Sequence, residues 1–446
     1  MSAIADLETT FTQLVEWLRN ALFPTEQFTL ELMGEHSHFI RFNRARVRQA
    51  GLVTDGQLTL TLMEQDRQSF CQIPFTGEWD LDLPVLKTAL EDVRDELVYL
   101  PIDPYLVLPS LQESSRDVHV GHLLISEDVA DAILPTVTDC DFAGLYAGGV
   151  SIRAYADSCG TQHWFATDSF TLDYSLFTDD GQAVKGTVAG SDWQQDKIIT
   201  KLTQSKQQLQ RMAMPPRAIA PGQYRTYLAP AAVADLISMF SWGGISESAL
   251  QRGHSALGLL QRGDRTLSPL FNLSENFRQG LVPRFNSLGE TAPIELPLIV
   301  KGQLVNTLVC SRTAKEYGKV ANGASASEQL RSPEVKPGSL LPDQILAELG
   351  TGLYLSNLHY LNWSDRPTGR ITGMTRYACF WVEQGDIVAP IENLRFDESL
   401  YQCFGDRLVD LTHTQEVIPD VGSYDHRDLG GTLVPGVLVD GFTYTL

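Results

Sequence analysis

Metal binding and nucleophilic catalysis draw on histidine, cysteine and carboxylate side chains, and this 446-residue chain has few of them at a working spacing. His119 and His122, in Asp117-Val118-His119-Val120-Gly121-His122, stand three apart, which on a helix would put both imidazoles on one face, fit to share a metal ion. Val120-Gly121 is poor helix material, however, and an extended segment turns the rings to opposite sides, so a polar loop pair is the plainer reading. His36 and His38 share one face if residues 36–48 form a strand, but Glu35 and Ser37 beside them fit a solvated surface equally well. His254, next to Gly253 and near Glu247, stands alone. Cys71, Cys140, Cys159, Cys310, Cys379 and Cys403 show no CxxC spacing, so neither a disulfide framework nor a zinc ribbon is suggested. Asp139 and Asp141, flanking Cys140, read as solvated acids rather than an acid–base pair. Gly244-Ile245-Ser246-Glu247-Ser248 lacks the second glycine of a nucleophile elbow, and neither a Walker A loop nor a GxGxxG turn occurs. No catalytic residue and no metal ligand is nominated on these grounds.

Charge narrows the partners. The net charge is −21, and nucleic-acid affinity rests on Lys and Arg displacing phosphate counterions, so no nucleic-acid partner is expected. Arg44, Arg46 and Arg48 at a spacing of two line one strand face opposite Val47; they could hold an acidic peptide, but a salt-bridged sheet face is the simpler expectation. No run of 18 apolar residues occurs, and the first residues lack a basic segment ahead of an apolar one, so no membrane association and a cytoplasmic location are expected.

The elements that would position such residues can be read from periodicity. Leu7, Phe11, Leu14, Val15, Leu18 and Leu22 recur at three and four, predicting a helix over 3–22 stopped by Pro24. Alternating runs at 28–32, 36–48 and 57–62 predict an antiparallel meander with one wet face. Helical spacing returns over 83–97 and 125–132, and a second strand group spans 144–174, with a hairpin at Asp179-Asp180-Gly181. A polar helix over 194–212 runs into the densest proline cluster of the chain. The expected division is therefore an N-terminal α+β domain over 1–213, a Pro-rich linker over 214–222 and a β-rich domain over 223–446. The latter opens with a strand over 224–228 and an apolar helix over 231–239, and residues 318–339, rich in Gly, Ser, Ala and charge, read as a mobile loop. The fold class is α+β: an N-terminal antiparallel sheet with helices on one face, then a strand-rich, barrel-like C-terminal domain.

Gly369 to Ile391, GRITGMTRYACFWVEQGDIVAPI, combines a glycine-punctuated approach, an aromatic strand and a tight acidic turn. Tyr377 to Val382 is apolar on both faces, as in a strand buried on two sides; Glu383-Gln384-Gly385-Asp386 is a hairpin signal, and Ile387-Val388-Ala389 returns as its partner before Pro390. Cys379 to Ile387 resembles the FWVENGEI-type strand of the TldD/PmbA family, once called modulators of DNA gyrase. Leu349 to Leu355 looks like the family's GTGL strand, and Ser311 to Gly318 with Asn322-Gly323 looks like its short helix and glycine loop. The likeness covers the C-terminal half and points to the PmbA (TldE) branch.

That resemblance implies a zinc peptidase system of two subunits. In the active branch a helix carries HExxxH and a cysteine near the C-terminus completes the zinc site; here the corresponding stretches, Leu236 to Ser246 and Val421 to Arg427, contain no HExxxH and no thiol. The resemblance therefore implies a zinc-less subunit with no cofactor of its own, paired with a TldD-like zinc subunit that acts on unfolded or leader peptides; the alternative is a self-associating, homodimeric peptide-binding protein without hydrolase activity. Arg370 and Thr372 on the glycine-rich approach, with Phe380 and Trp381 on the strand, are the candidate residues of a groove where an extended peptide pairs by backbone hydrogen bonds. The plain alternative is that buried aromatics at period two are core.

Overall fold

The structure, a computed structural model, describes residues 2–110 and 112–445. The N-terminal half runs α1 (Ser2–Ala21), β1 (Gln27–Asn43), β2 (Arg46–Glu64), β3 (Arg67–Pro74), α2 (Trp79–Leu97), β4 (Ser114–His119), α3 (Ser126–Val137), β5 (Asp141–Asp157), β6 (Gln162–Phe177), β7 (Ala183–Gly190) and α4 (Gln195–Met212). Its strands form one sheet in the order β3-β2-β1-β5-β6-β4, with β7 also on β6. All four helices lie on one face, because Phe28, Leu30, Leu32, Ile40 and Phe42, all even-numbered in β1, turn their side chains to that side. Leu30 and Leu32 pack with Phe11, Leu14 and Leu18 of α1 and Leu86 and Leu90 of α2, while Ile40 and Phe42 pack with Ile133 of α3 and Leu202 of α4. Each such side chain contributes about 1.5–3 kcal/mol when fully buried.

Two expected strands, over 28–32 and 36–48, are a single strand and its turn. Arg44 and Ala45 take φ of 51° and 50°, the left-handed pair that lets a two-residue hairpin follow the twist of its strands. Arg44 therefore lies in the turn and shares no strand face with Arg46 and Arg48, which open β2.

The C-terminal half contains β8 (Gly222–Leu228), α5 (Pro230–Ser241), α6 (Glu247–Gln251), α7 (Gly258–Gln261), β9 (Leu273–Asn276), β10 (Glu295–Val300), β11 (Gln303–Leu304), α8 (Ser311–Tyr317), β12 (Pro333–Val335) and α9 (Ile345–Leu349). β13 (Gly352–Leu355), β14 (Asn357–Asp365), β15 (Arg370–Arg376), β16 (Phe380–Glu383), β17 (Asp386–Pro390), β18 (Arg395–Ser399), β19 (Leu408–Pro419) and β20 (Gly431–Tyr444) complete it. These strands make a second sheet that branches at β20, which pairs with β8, β12, β18 and β19; it closes into no barrel among the described residues. The class is α+β, with a helix-backed N-terminal sheet and a strand-rich C-terminal half. The core of this half surrounds α5, whose Val233, Leu236, Ile237 and Phe240 are buried.

The hairpin at Glu383-Gln384-Gly385-Asp386 forms, with φ of 52° and 89° at its centre. The strand before it starts only at Phe380, because Tyr377 takes φ of 63° and Cys379 N–H donates to Tyr377 O at 2.8 Å, a tight turn that breaks the extended run. The 318–339 segment is not a solvent-side loop. It contributes β12 to the sheet, and buried Glu328 accepts from Ser248 N at 2.9 Å and Cys310 N at 2.9 Å, satisfying donors near the starts of α6 and α8. No described helix is long and apolar enough to cross a membrane.

Candidate functional site

The odd-numbered residues of β1 point away from the helices. Glu31, Met33, Glu35, Ser37, Phe39 and Arg41 form a stripe on the bare face of the first sheet, beside Tyr155, Arg153 and Ser151 of β5 in register. Two pieces of the C-terminal half lie over this face: the segment 282–287 and the loop between β19 and β20. Between them and the sheet run three cavities. One of about 440 Å³ is lined by Glu31, Met33, Arg153, Phe285, Arg331 and Asp420. A small one under the loop shares Asp420 with it, and shares Leu145, Asp173 and Ser423 with a third of about 740 Å³ at the Phe39 and Arg41 end. The whole is a trough along β1, straddled midway by the loop.

Arg427 makes the straddle. Its side chain is 4% exposed. Nε donates to Ser37 Oγ at 2.9 Å, Nη1 to Ser169 O at 3.0 Å, and Nη2 to Gly149 O at 2.9 Å and Ser151 Oγ at 3.1 Å. Glu35 Oε2 lies 3.6 Å from Nε and has no hydrogen bond, so Arg427 balances its charge without bonding that oxygen. Burial pulls the Arg427 guanidinium below its usual range, against the opposing pull of Glu35. Gly149 is required beneath it, since a Cβ there would stand 2.1 Å from His36 O across the β1–β5 pair.

The 440 Å³ cavity has a different electrostatic character. Burial alone pushes the Glu31 carboxyl up to about 7; burial together with the neighbouring Asp428 pushes Asp420 up to about 6. The two arginines facing the cavity are engaged with carbonyls. Arg153, driven down to about 10 chiefly by burial, donates to Ile152 O at 2.8 Å, and Arg331 donates to Phe285 O at 2.9 Å and Gly323 O at 2.8 Å. Neither Glu31 nor Asp420 has an ion-pair partner among the described residues.

The residues singled out from sequence lie elsewhere and apart. Arg370 pairs with Asp397 at 2.7 Å and Thr372 Oγ1 donates to Phe396 O at 3.0 Å, on a strand held by β14 on one side and β18 on the other. Phe380 packs with Ala378, Val184 and Met212 in the seam between the halves. Trp381 donates from Nε1 to Glu383 Oε1 at 2.7 Å under the Arg217 guanidinium, 4.7 Å from its ring centre. β16 is likewise paired on both sides, with β13 and β17, so no further strand can add to β15 or β16. His119 packs against Phe165, 5.5 Å between ring centres, while exposed His122 bonds Asp192 at 2.8 Å through Nδ1; the two have separate partners. His36 bonds Thr54 Oγ1 at 2.8 Å and its ring meets that of His38 edge-on. Asp139 pairs with Lys206 at 2.6 Å, and all six cysteines are free. Among the described residues no group of three or more His, Cys, Asp or Glu is placed to hold a metal ion. Sequence reasoning missed Glu31, Arg153, Asp420 and Arg427, which come from two strands and a loop far apart in the chain and share no spacing that could have marked them.

A helix-backed sheet whose bare face is spanned by a loop of a second, strand-rich sheet defines a two-part α+β protein with a trough between its parts. Residues 221–446 match the sequence model of the PmbA/TldA metallopeptidase C-terminal domain, and the chain belongs to this family. Three solved structures share its fold. A protein from Thermotoga maritima named as a modulator of a DNA gyrase superposes with a TM-score of 0.78 at 14% identity, covering 98% of this chain and 100% of that one. One of the same description from Bacteroides thetaiotaomicron gives 0.78 at 15% identity, covering 97% and 98%. TldE from Thermococcus kodakarensis gives 0.75 at 13%, covering 98% and 100%. A comparison with curated proteins finds no match.

Proposed function

We propose that this chain is the noncatalytic, TldE-like subunit of a cytoplasmic heterodimeric metallopeptidase, paired with a TldD-like zinc subunit that acts on unfolded or leader peptides. The observation that carries the reading is what stands at the two places where the active branch is expected to hold zinc. The end of α5 presents Leu236, Ile237, Met239 and Phe240, all buried in the core and none an imidazole, thiolate or carboxylate. The loop offers Arg427, a cation locked onto the sheet by its hydrogen bonds, and its Asp425 and His426 belong to no group of three His, Cys, Asp or Glu placed to hold a metal ion among the described residues. This set lacks the three or four converging imidazole, thiolate or carboxylate donors that a zinc ion needs.

The role left to the chain is to hold and position substrate. α5 ends against the trough wall, where Ser241 Oγ accepts from Leu330 N at 3.0 Å and Leu330 lines the 440 Å³ cavity. An extended peptide end entering the 440 Å³ cavity would meet Glu31, Met33 and Thr59 from the sheet and Val282, Pro283 and Phe285 from segment 282–287, contacts that demand little sequence. The same reading places the division between the two parts at residues 214–222.

Zinc content measured by elemental mass spectrometry, on the chain alone and on the copurified pair, tests this. The expected result is none in the isolated chain and about one zinc per pair. Stoichiometric zinc in the isolated chain would overturn the reading. A chain that pairs only with itself and binds peptide without cleavage would favour the homodimeric binding protein.

A further inference from the structure

We infer that the free edge of β2 over Arg46 to Asp55 adds an extended, acidic peptide segment as a further strand, drawn there by the arginines of the β1–β2 hairpin. This rests on the reading of the chain as the subunit that holds peptide, and adds where the peptide lies and which charge it carries. β2 pairs with β1 from Arg46 to Met63, but β3 covers its other side only over Gln57 to Glu64. Gly56 O still accepts from Phe75 N at 2.7 Å, and every residue from there back to Arg46 is exposed. The outward N–H and C=O groups of this stretch meet no described strand, and such an edge is a template for another chain. Val47, Leu52 and Val53 are exposed along it and give an added strand apolar contacts.

Charge chooses the occupant. Arg41, Arg44, Arg46 and Arg48 are exposed and form no ion pair among the described residues, although the chain carries −21 overall. The salt-bridged sheet face expected of them does not form. Arg44, Arg46 and Arg48 line a surface hollow of about 680 Å³ in which the one carboxylate is Asp141. Arg41 lies in the 740 Å³ cavity, where the one acid, Asp173, is already held by Lys185 at 2.6 Å. At the far end of the edge Asp55 stands 3.5 Å from His426 Nδ1. Like charges on a strand edge keep copies of a protein apart, but on a chain this acidic arginine does the reverse, because it draws in acidic surface. Gln49, Gly51 and Val53 of the edge line the same cavity as Phe39 and Arg41, so the edge is one bank of the trough. A peptide added there turns every second side chain toward that cavity while its backbone takes up the free groups of β2. This continuity with the trough assigns the edge to peptide rather than to a folded partner.

The test is binding of short unstructured peptides, labelled at the C-terminus, to the isolated full chain by fluorescence anisotropy at low salt. One probe carries glutamate at alternate positions, and a second of equal length has glutamine in their place. A third, prepared in both frames, keeps the glutamates but carries methyl groups on alternate backbone nitrogens. The glutamate probe is expected to bind about tenfold more tightly than the glutamine probe, to weaken as salt is raised, and to slow amide hydrogen exchange over residues 46–55. Replacing the three arginines together, Arg44→Gln with Arg46→Gln and Arg48→Gln, should bring it down to the level of the glutamine probe. Methylation in the frame that faces β2 should cost about tenfold and in the other frame little, a readout made on the unaltered chain. Equal affinity for the glutamate and glutamine probes, no binding of any, both methylated frames binding like the parent probe, or exchange protection confined to other residues would overturn the proposal. So would displacement of the glutamate probe by the copurified TldD-like subunit, which gives the edge to that partner, or a dimer in sedimentation that the three substitutions dissolve, which gives it to a second copy. Zinc content does not enter this measurement, so its failure leaves the assignment as a noncatalytic subunit standing.

Discussion

Arg427 occupies a place that water would otherwise fill. Removing it strands the Glu35 carboxylate and exposes the Ser37 and Ser151 hydroxyls and the Gly149 carbonyl to an unmatched interior. Arg427→Met should lower unfolding free energy by about 3–5 kcal/mol in urea titrations, and adding Glu35→Gln should recover a large part of it, because the stranded charge rather than the missing attraction dominates. Glu31 makes the opposite prediction. Burial lifts its folded pKa to about 7 from the ordinary carboxyl value of 4.5, so the folded state holds the extra proton between those values. The stability this group contributes is complete below the lower value and is lost as pH rises through the upper one. Glu31→Gln should match the parent near pH 4 and exceed it at pH 8 by on the order of 3 kcal/mol, measured as the pH dependence of urea midpoints. Neither role is legible in the sequence: Arg427 stands 390 positions from Ser37, and a strand that alternates Glu31, Met33, Glu35, Ser37 looks like any wet sheet face.

At the scale of elements, periods and glycine-marked turns were readable, while turns made without glycine were not. The helices over 3–22, 83–97 and 194–212 and the Asp179-Asp180-Gly181 hairpin emerge within a few residues of their expected places, because apolar spacing at 3.6 and a glycine at a positive φ are local requirements. The β1–β2 turn was hidden because Arg44 and Ala45 adopt left-handed conformations that asparagine and glycine normally signal. Their replacement, Arg44→Asn with Ala45→Gly, relieves that strain and should raise stability by about 1 kcal/mol, seen as a higher melting temperature with an unchanged spectrum. A lower melting temperature would mean that the entropy of the added glycine outweighs the relief. The strand before the second hairpin was read three residues too long for a related reason: Tyr377 to Cys379 has strand composition but turns on a positive φ.

Across the whole molecule the two halves are joined by unlike contacts. Phe380 and Ala378 meet Val184 and Met212 in an apolar seam, His163 Nε2 bonds Gly289 O at 2.9 Å, Arg312 pairs with Asp103, and Arg427 crosses the bare face. Such a seam, part apolar and part fully bonded, should hold the halves to one cooperative transition in scanning calorimetry; two resolved peaks would show that each half melts by itself. The α+β class was evident from composition and order of periods, but the trough was not, since it exists only where two distant segments are laid over one sheet. Synthesis runs from one end of the chain to the other, and this gives the Arg427 contact a place in time. The first sheet leaves the ribosome hundreds of residues before the guanidinium that balances Glu35 has been made. Until then its bare face stays hydrated and open, so a segment translated late completes one translated early, and a nascent chain halted short of that arginine displays its incompleteness on its surface.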